Sequence, residues 1–227
     1  MWVGSGRANL APPGMAPSGR ETALAATLLF GLLTTPGFLF HSAVLWKRPL
    51  WLDEVHTSLV AQQRDLRAVV SSLSQGADFN PPLLFVWHWV IGRAVGGIGP
   101  GSLRLTALLS TWAAVLLVFL FLRRSFGPVP SLVGALAVAS QKIVLTQAYD
   151  GRFYGPMLLL VVVFIGAVSR AVDQPKSVAA QVGACAASSL LCLIHYFGII
   201  ALGLAVLGSG RAAWAQRRGL RPLLPSL

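Results

Sequence analysis

Charge is scarce in this chain. Of its 227 residues only 11% are Asp, Glu, Lys or Arg, whereas a soluble globular domain carries about 25%. Together with 55% hydrophobic residues and a mean hydropathy of +0.70, this argues against a soluble fold and for an integral membrane protein. A membrane β-barrel is argued against as well, because the apolar runs are unbroken where barrel strands alternate. Cysteine is equally sparse. Cys185 and Cys192 lie seven residues apart in one apolar run, about 10 Å along a helix and beyond disulfide reach, so they report nothing about redox compartment. Acid is scarcest: 7 Asp and Glu stand against 18 Lys and Arg, a net charge of +11. On a soluble protein that excess points to nucleic acid. Here no basic run exceeds two residues, and Lys and Arg accumulate in cytoplasmic loops of membrane proteins, so no nucleic-acid partner is expected. No nucleotide-binding loop, zinc motif or nucleophile elbow is present. No cofactor or metal-ligand set is indicated, although the acids leave a divalent cation open.

What the chain does have is long apolar runs. At about 20 residues per span it holds about six helices, at 23–46, 105–122, 130–148, 153–172, 177–194 and 196–210. The last two come from one uncharged run, 177–210, which is too long for a single crossing at about 51 Å and is expected to fold back near His195. Residues 1–22, rich in Gly, Pro and Ser, read as a disordered cytoplasmic tail. Residues 211–227 read as a basic cytoplasmic tail. With 47–104 as one long extracytoplasmic loop, ten basic residues fall inside, among them Arg123, Arg124, Arg170 and Lys176, and seven outside. Asp53, Glu54, Asp65, Asp78 and Asp150 all fall outside, which marks that face as a functional surface.

Two juxtamembrane helices are expected in the loop. In the first, Leu59, Val60, Leu66, Val69, Val70 and Leu73 share a face opposite Gln62, Gln63, Arg64, Asp65 and Arg67, the pattern of a helix lying on a membrane. The second, Pro81–Val95, has Asn80-Pro81-Pro82 as its start. Together they form a cover over a lipid-accessible site. The Gly92–Gly96 pair has the spacing of a helix-packing motif. Lys142 falls inside the third span, where it needs a partner or a route to the interface.

Acids at a membrane face are expensive in hydrocarbon and usually serve function there. Asp53 and Glu54 follow the first span directly. Asp150 ends the third span and returns to the same face, with Arg152 two residues on. His195-Tyr196 marks the last turn on that face. Each has a bland alternative: solvated loop acids, a local Asp150–Arg152 ion pair, a structural histidine. Taken together, outer carboxylates, an arginine and a histidine beside a lipid-accessible cover suit action on a lipid-linked anion.

The order of motifs carries a resemblance. Trp51-Leu52-Asp53-Glu54, Asn80-Pro81-Pro82-Leu83, Leu103-Arg104-Leu105, Arg123-Arg124-Ser125-Phe126-Gly127, Gln147-Ala148-Tyr149-Asp150-Gly151-Arg152-Phe153-Tyr154 and His195-Tyr196-Phe197 resemble bacterial polyprenyl-phosphate-sugar-dependent glycosyltransferases of GT-C fold. That branch is related to protein O-mannosyltransferases and lipid A aminoarabinose transferases. The resemblance covers about residues 23–210 and implies an all-α, polytopic, GT-C-like N-terminal module in the cell membrane, with its active site on the extracytoplasmic face. It implies transfer of a sugar from a polyprenyl-phosphate donor to a hydroxyl of a lipid, glycan or protein acceptor. Asp53 matches the family's putative base, Glu54 its neighbour, and Asp150 a position that is often Glu. Arg152 and Tyr154 match the Arg and Tyr of the same motif, and His195 and Tyr196 its His-Tyr pair. For the donor phosphate, Arg152 is the first choice and Arg104 the second. Family members are usually longer, so a truncated chain is expected. The alternatives are a transporter or channel fragment in which Asp53, Glu54 and Asp150 bind protons or cations, and an inert truncated scaffold.

Overall fold

A computed structural model describes residues 24–31, 34–35 and 48–217. Among these, all regular structure is helical. The helices are α1 (Leu52–Ala61), α2 (Leu66–Ser74), α3 (Leu83–Val95), α4 (Pro100–Phe126), α5 (Pro128–Ala139), α6 (Lys142–Gln147), α7 (Tyr154–Asp173), α8 (Val178–Ile194) and α9 (Phe197–Arg217). Residues 24–31 are also helical.

Two helices, α4 and α7, are long and apolar enough to cross a membrane. At 27 and 20 residues they measure about 40 and 30 Å. They pack on each other most extensively, and Gly155 makes this possible: a Cβ there would run into the Ala107 carbonyl oxygen and the Thr111 hydroxyl of α4. α8 flanks α7 through Phe164, Ala187 and Leu191. α5 and residues 24–31 flank the far half of α4, where Phe30 stacks on Phe119 with ring centroids 5.1 Å apart. α3, α5, α8 and Phe197–Gly208 are shorter apolar helices. The run 177–210 does break where expected: α8 ends at Ile194 and α9 begins at Phe197.

Three local expectations are corrected. The face from Leu59 to Leu73 is not continuous, because α1 stops at Ala61 and Asp65 caps a new helix by accepting the Ala68 N–H at 2.8 Å. Val60 and Val69 pack with Phe85 of α3, whereas Leu59, Leu66 and Val70 are exposed. The 130–148 run is likewise two helices broken at Ser140-Gln141, so Lys142 stands exposed at the start of α6 and lacks the midspan position that would demand a partner. Finally, Gly92 and Gly96 end α3 rather than join helices. Gly96 takes φ +82°, where glycine is favoured, and Ile98 folds back over Gly92 so closely that a Cβ would not fit.

Much of the 23–46 run, the 1–22 tail and residues 218–227 lie outside the described residues. Residues 211–217, expected in a tail, continue α9.

Candidate functional site

The hairpin order of the bundle brings one set of helix ends together. The starts of α1, α4, α7 and α9 and the ends of α6 and α8 meet at one end. Arg123, Arg124, Arg170, Asp173 and Lys176 lie at the other ends of α4 and α7. Two arginine–carboxylate pairs fasten the first end.

The first pair is closed. Arg104, one turn into α4, donates from Nε to Glu54 Oε1 at 2.9 Å and from Nη2 to Glu54 Oε2 at 2.6 Å. Its Nη1 and Nη2 also reach the carbonyl oxygens of Arg48 at 2.7 Å and Pro49 at 2.9 Å. Glu54, only 1% exposed, accepts in addition from the Gly151 N–H at 2.9 Å and from the Trp51 N–H at 3.3 Å. Burial works against its ionisation, yet the hydrogen bonds from Arg104 and Gly151 outweigh it and hold the carboxyl below its ordinary pKa. Gly151 must be small here, since a Cβ would stand 2.8 Å from Leu103 Cβ and 3.1 Å from Glu54 Oε1. The pair thus ties the entry of α1, the start of α4 and the α6–α7 connection into one knot.

The second pair is open. Arg152 is 7% exposed, and its Nη1 alone reaches the Asp53 carbonyl oxygen at 3.2 Å, Thr57 Oγ1 at 2.8 Å and Asp78 Oδ2 at 3.0 Å. Its Nε is buried with no hydrogen-bond partner among the described residues. An unpaired buried donor on a charged group is costly, so this nitrogen calls for an acceptor that the described residues do not supply. Asp78 is fixed from its other side by the Asn80 N–H at 2.9 Å. Burial again opposes ionisation, and the bonds from Asn80 and Arg152 again prevail, lowering its pKa. The local Asp150–Arg152 ion pair, the bland alternative for these residues, does not form. Arg152 pairs with Asp78 instead, 74 residues away in sequence.

Around these pairs lie the remaining candidates. Asp53 is half-buried, and its carboxylate takes no hydrogen bond among the described residues. Asp150 accepts from Trp51 Nε1 at 3.3 Å. Burial pushes its pKa up to about 6 against that bond, and the nearby Glu54 adds to the rise. The His195 ring stacks on Phe153 with centroids 4.0 Å apart, and its Nδ1 accepts the Phe197 N–H at 3.1 Å, capping α9. Burial and then the charge of Arg152 hold its pKa below the ordinary histidine value. Tyr154 and Tyr196 are exposed.

A cavity of about 480 Å³ opens between Arg48, Trp51, Glu54, Arg104, Tyr149 and Asp150. Asp150 therefore shares a cavity with the closed pair, while Asp53, Arg152 and His195 lie outside its lining. The structure commits Glu54 and Arg104 to each other and to backbone, which leaves neither an open valence for acceptor or donor. Thr57 has no signal in the sequence, and Trp51 and Asp78 appear there only as a motif residue and one of the outer acids. Asp78 did carry a signal, being an acid two residues before Asn80-Pro81-Pro82, a sequence that builds a turn. Among the described residues no group of three or more His, Cys, Asp or Glu side chains is placed to hold a metal ion. No protein-family model, characterised protein or solved structure matches the chain.

Proposed function

We propose that this chain is the N-terminal module of a multi-pass membrane glycosyltransferase that moves a sugar from a polyprenyl-phosphate donor to an acceptor hydroxyl on the extracytoplasmic face. The observation that carries the reading is Arg152: a buried guanidinium with an unpartnered Nε–H, held against the backbone carbonyl of Asp53, whose half-buried carboxylate accepts no hydrogen bond among the described residues. The departing polyprenyl phosphate is a spread anion, and a guanidinium recognises it through paired N–H donors. Asp53, with both oxygens open, is the base that takes the acceptor proton, a contribution of about 10² to 10⁴ in rate. The proton leaves the acceptor hydroxyl, its oxygen bonds to the anomeric carbon, and the bond from that carbon to the phosphate oxygen breaks.

The assignments within the motifs then divide. Asp53 and Arg152 carry chemistry, Asp150 and His195 border the reaction with the exposed Tyr154 and Tyr196, and Glu54 and Arg104 hold the architecture. A proton- or cation-transport role is disfavoured because α4 has no acid and α7 has only Asp173, at its last residue, whereas a transport site needs an acid at the membrane midplane.

The test is transfer of labelled hexose from a polyprenyl-phosphate hexose to a membrane-lipid acceptor fraction by the purified chain in nanodiscs, alongside direct binding of the same donor. Binding that weakens in Arg152→Lys, and transfer that falls by about 10² in Asp53→Asn with binding unchanged, is the expected outcome. A wild-type chain that neither binds nor turns over the donor overturns the reading.

A further inference from the structure

At the end of the bundle remote from Glu54 and Arg104, a groove of about 730 Å³ runs between α4, α7 and α8. Leu120, Phe121, Val162 and Val163 form its apolar walls, and Gly166 and Gly183 leave its floor bare. Arg124 and Arg170, both exposed, stand at its rim, and Asp173 is the one acid there. Among the described residues neither arginine makes an ion pair or a side-chain hydrogen bond. Two of the three walls are the helices long and apolar enough to cross a membrane, so the groove opens toward lipid near the level of the head groups.

We propose that this groove is a binding site for one anionic phospholipid, its phosphate held between Arg124 and Arg170 and one acyl chain lying over Gly166 and Gly183. The volume falls within the range of small-molecule sites, about 300 to 1,000 Å³. Polarity and shape agree: two cations at the interface end, an uninterrupted apolar channel below them. Basic pockets between transmembrane helices are where phospholipid head groups bind. Topological bias alone accounts for arginines at helix ends, but it does not account for a trough lined by small residues directly beneath them. The site lies at the opposite end of α4 and α7 from the proposed transfer chemistry, so the two readings stand or fall separately.

The test reads lipid retained by the full chain after exchange from nanodiscs containing equal phosphatidylglycerol and phosphatidylcholine into mild detergent, with bound lipid counted by native mass spectrometry. The expected result is enrichment of phosphatidylglycerol by about 10-fold or more, given two arginines each contributing near the membrane surface. Arg124→Gln with Arg170→Gln returns the ratio to that of the bulk. Gly166→Leu with Gly183→Leu fills the trough while keeping both charges, and open space lies where the new Cβ atoms go, so folding is retained. That pair loses the bound lipid altogether. Equal retention of the two lipids by the wild type overturns the proposal, as does a preference that survives either double variant. Displacement by soluble glycerol phosphate at equal concentration means a free-phosphate site and overturns it too. So does a wild-type dimer that Gly183→Leu dissociates, because a second copy then fills the groove.

Discussion

Two buried arginines at the same end of the bundle have opposite surroundings. Arg104 has a carboxylate gripped through two nitrogens and two backbone carbonyls besides. Arg152 crowds three acceptors onto one nitrogen and leaves Nε with none. Both arginines stand in sequence motifs that carry the resemblance, and sequence alone treats them as first and second choices for one task. Their surroundings separate them: a closed pair is a fastener, and an open one has capacity left for a ligand.

Breaking the closed pair has the largest expected effect on the fold. Glu54→Ala leaves Arg104 charged and buried, which costs about 3 to 5 kcal/mol, read as a lower midpoint in detergent-induced unfolding followed by circular dichroism. Replacing both partners, Glu54→Leu with Arg104→Met, removes the charges together and recovers most of that loss. A single variant as stable as wild type shows that the knot contributes nothing. Arg152→Lys makes the contrast: it leaves the stability within about 1 kcal/mol, since a cation still faces Asp78, but it loses the fork geometry, and on the proposed function donor binding weakens.

Close packing at the knot gives a smaller effect. Gly151→Ala puts a methyl 2.8 Å from Leu103 Cβ and 3.1 Å from Glu54 Oε1, and overpacking of this kind destabilises by about 1 to 3 kcal/mol. Gly166→Ala, where a Cβ meets nothing within 4 Å, is the control and leaves stability unchanged or raised.

How far these contrasts were visible beforehand depends on range in sequence. The helices α4 and α7 were legible because each is an unbroken apolar run with charge or proline at its ends, and the turn at His195 followed from length alone. The break at Ser140-Gln141 is not evident from the apolar run, although three polar residues, Ser140, Gln141 and Lys142, interrupt it. Hydropathy averaged over a window hides so short an interruption. The ion pairs were not legible at all. Glu54 and Arg104 are 50 residues apart and Asp78 and Arg152 are 74 apart. Sequence offered only the neighbour, Asp150, as a partner for Arg152. Which carboxylate meets which arginine is set by the packing of α1, α4 and α7, and no local pattern encodes it.

The pH response sharpens the comparison further. Glu54 and Asp78 have lowered pKa values in the fold, so their contribution to stability is present above the unfolded carboxyl range and is lost as pH falls through the folded values. Asp150 works in the opposite sense. Its pKa rises from 3.8 to about 6, so the folded state binds the proton more tightly, and its contribution is full below pH 3.8 and lost as pH rises through 6. Asp150 is partly open to solvent, which limits the change to on the order of 1 kcal/mol. Asp150→Asn removes this limb, so unfolding midpoints of wild type and variant diverge between pH 4 and 6 and run parallel below. Parallel curves throughout that window show that Asp150 is solvated in the folded chain.

The smallest effect isolates one contact. Trp51 Nε1 donates to Asp150 Oδ1 at 3.3 Å, in a position open to solvent, and this bond opposes the rise that burial imposes on the carboxyl. Trp51→Phe keeps an aromatic ring at the cavity edge and deletes the donor. Hydrogen bonds contribute about 0.5 to 1.5 kcal/mol, so a long and exposed one shifts the Asp150 titration up by less than about one pH unit. Carboxyl-selective infrared titration of wild type, Trp51→Phe and an Asp150→Asn blank reads that shift directly. Since Trp51 also donates its backbone N–H to Glu54, and the substitution leaves that bond in place, the closed pair stays intact and the unfolding midpoint at pH 7 does not move. An Asp150 titration that stays put, or falls, in Trp51→Phe means that the indole does not hold the charged carboxylate, and the link between α1 and the α6–α7 connection then rests on Glu54, which accepts from Gly151, and on Arg152, which donates to Asp53 and Thr57.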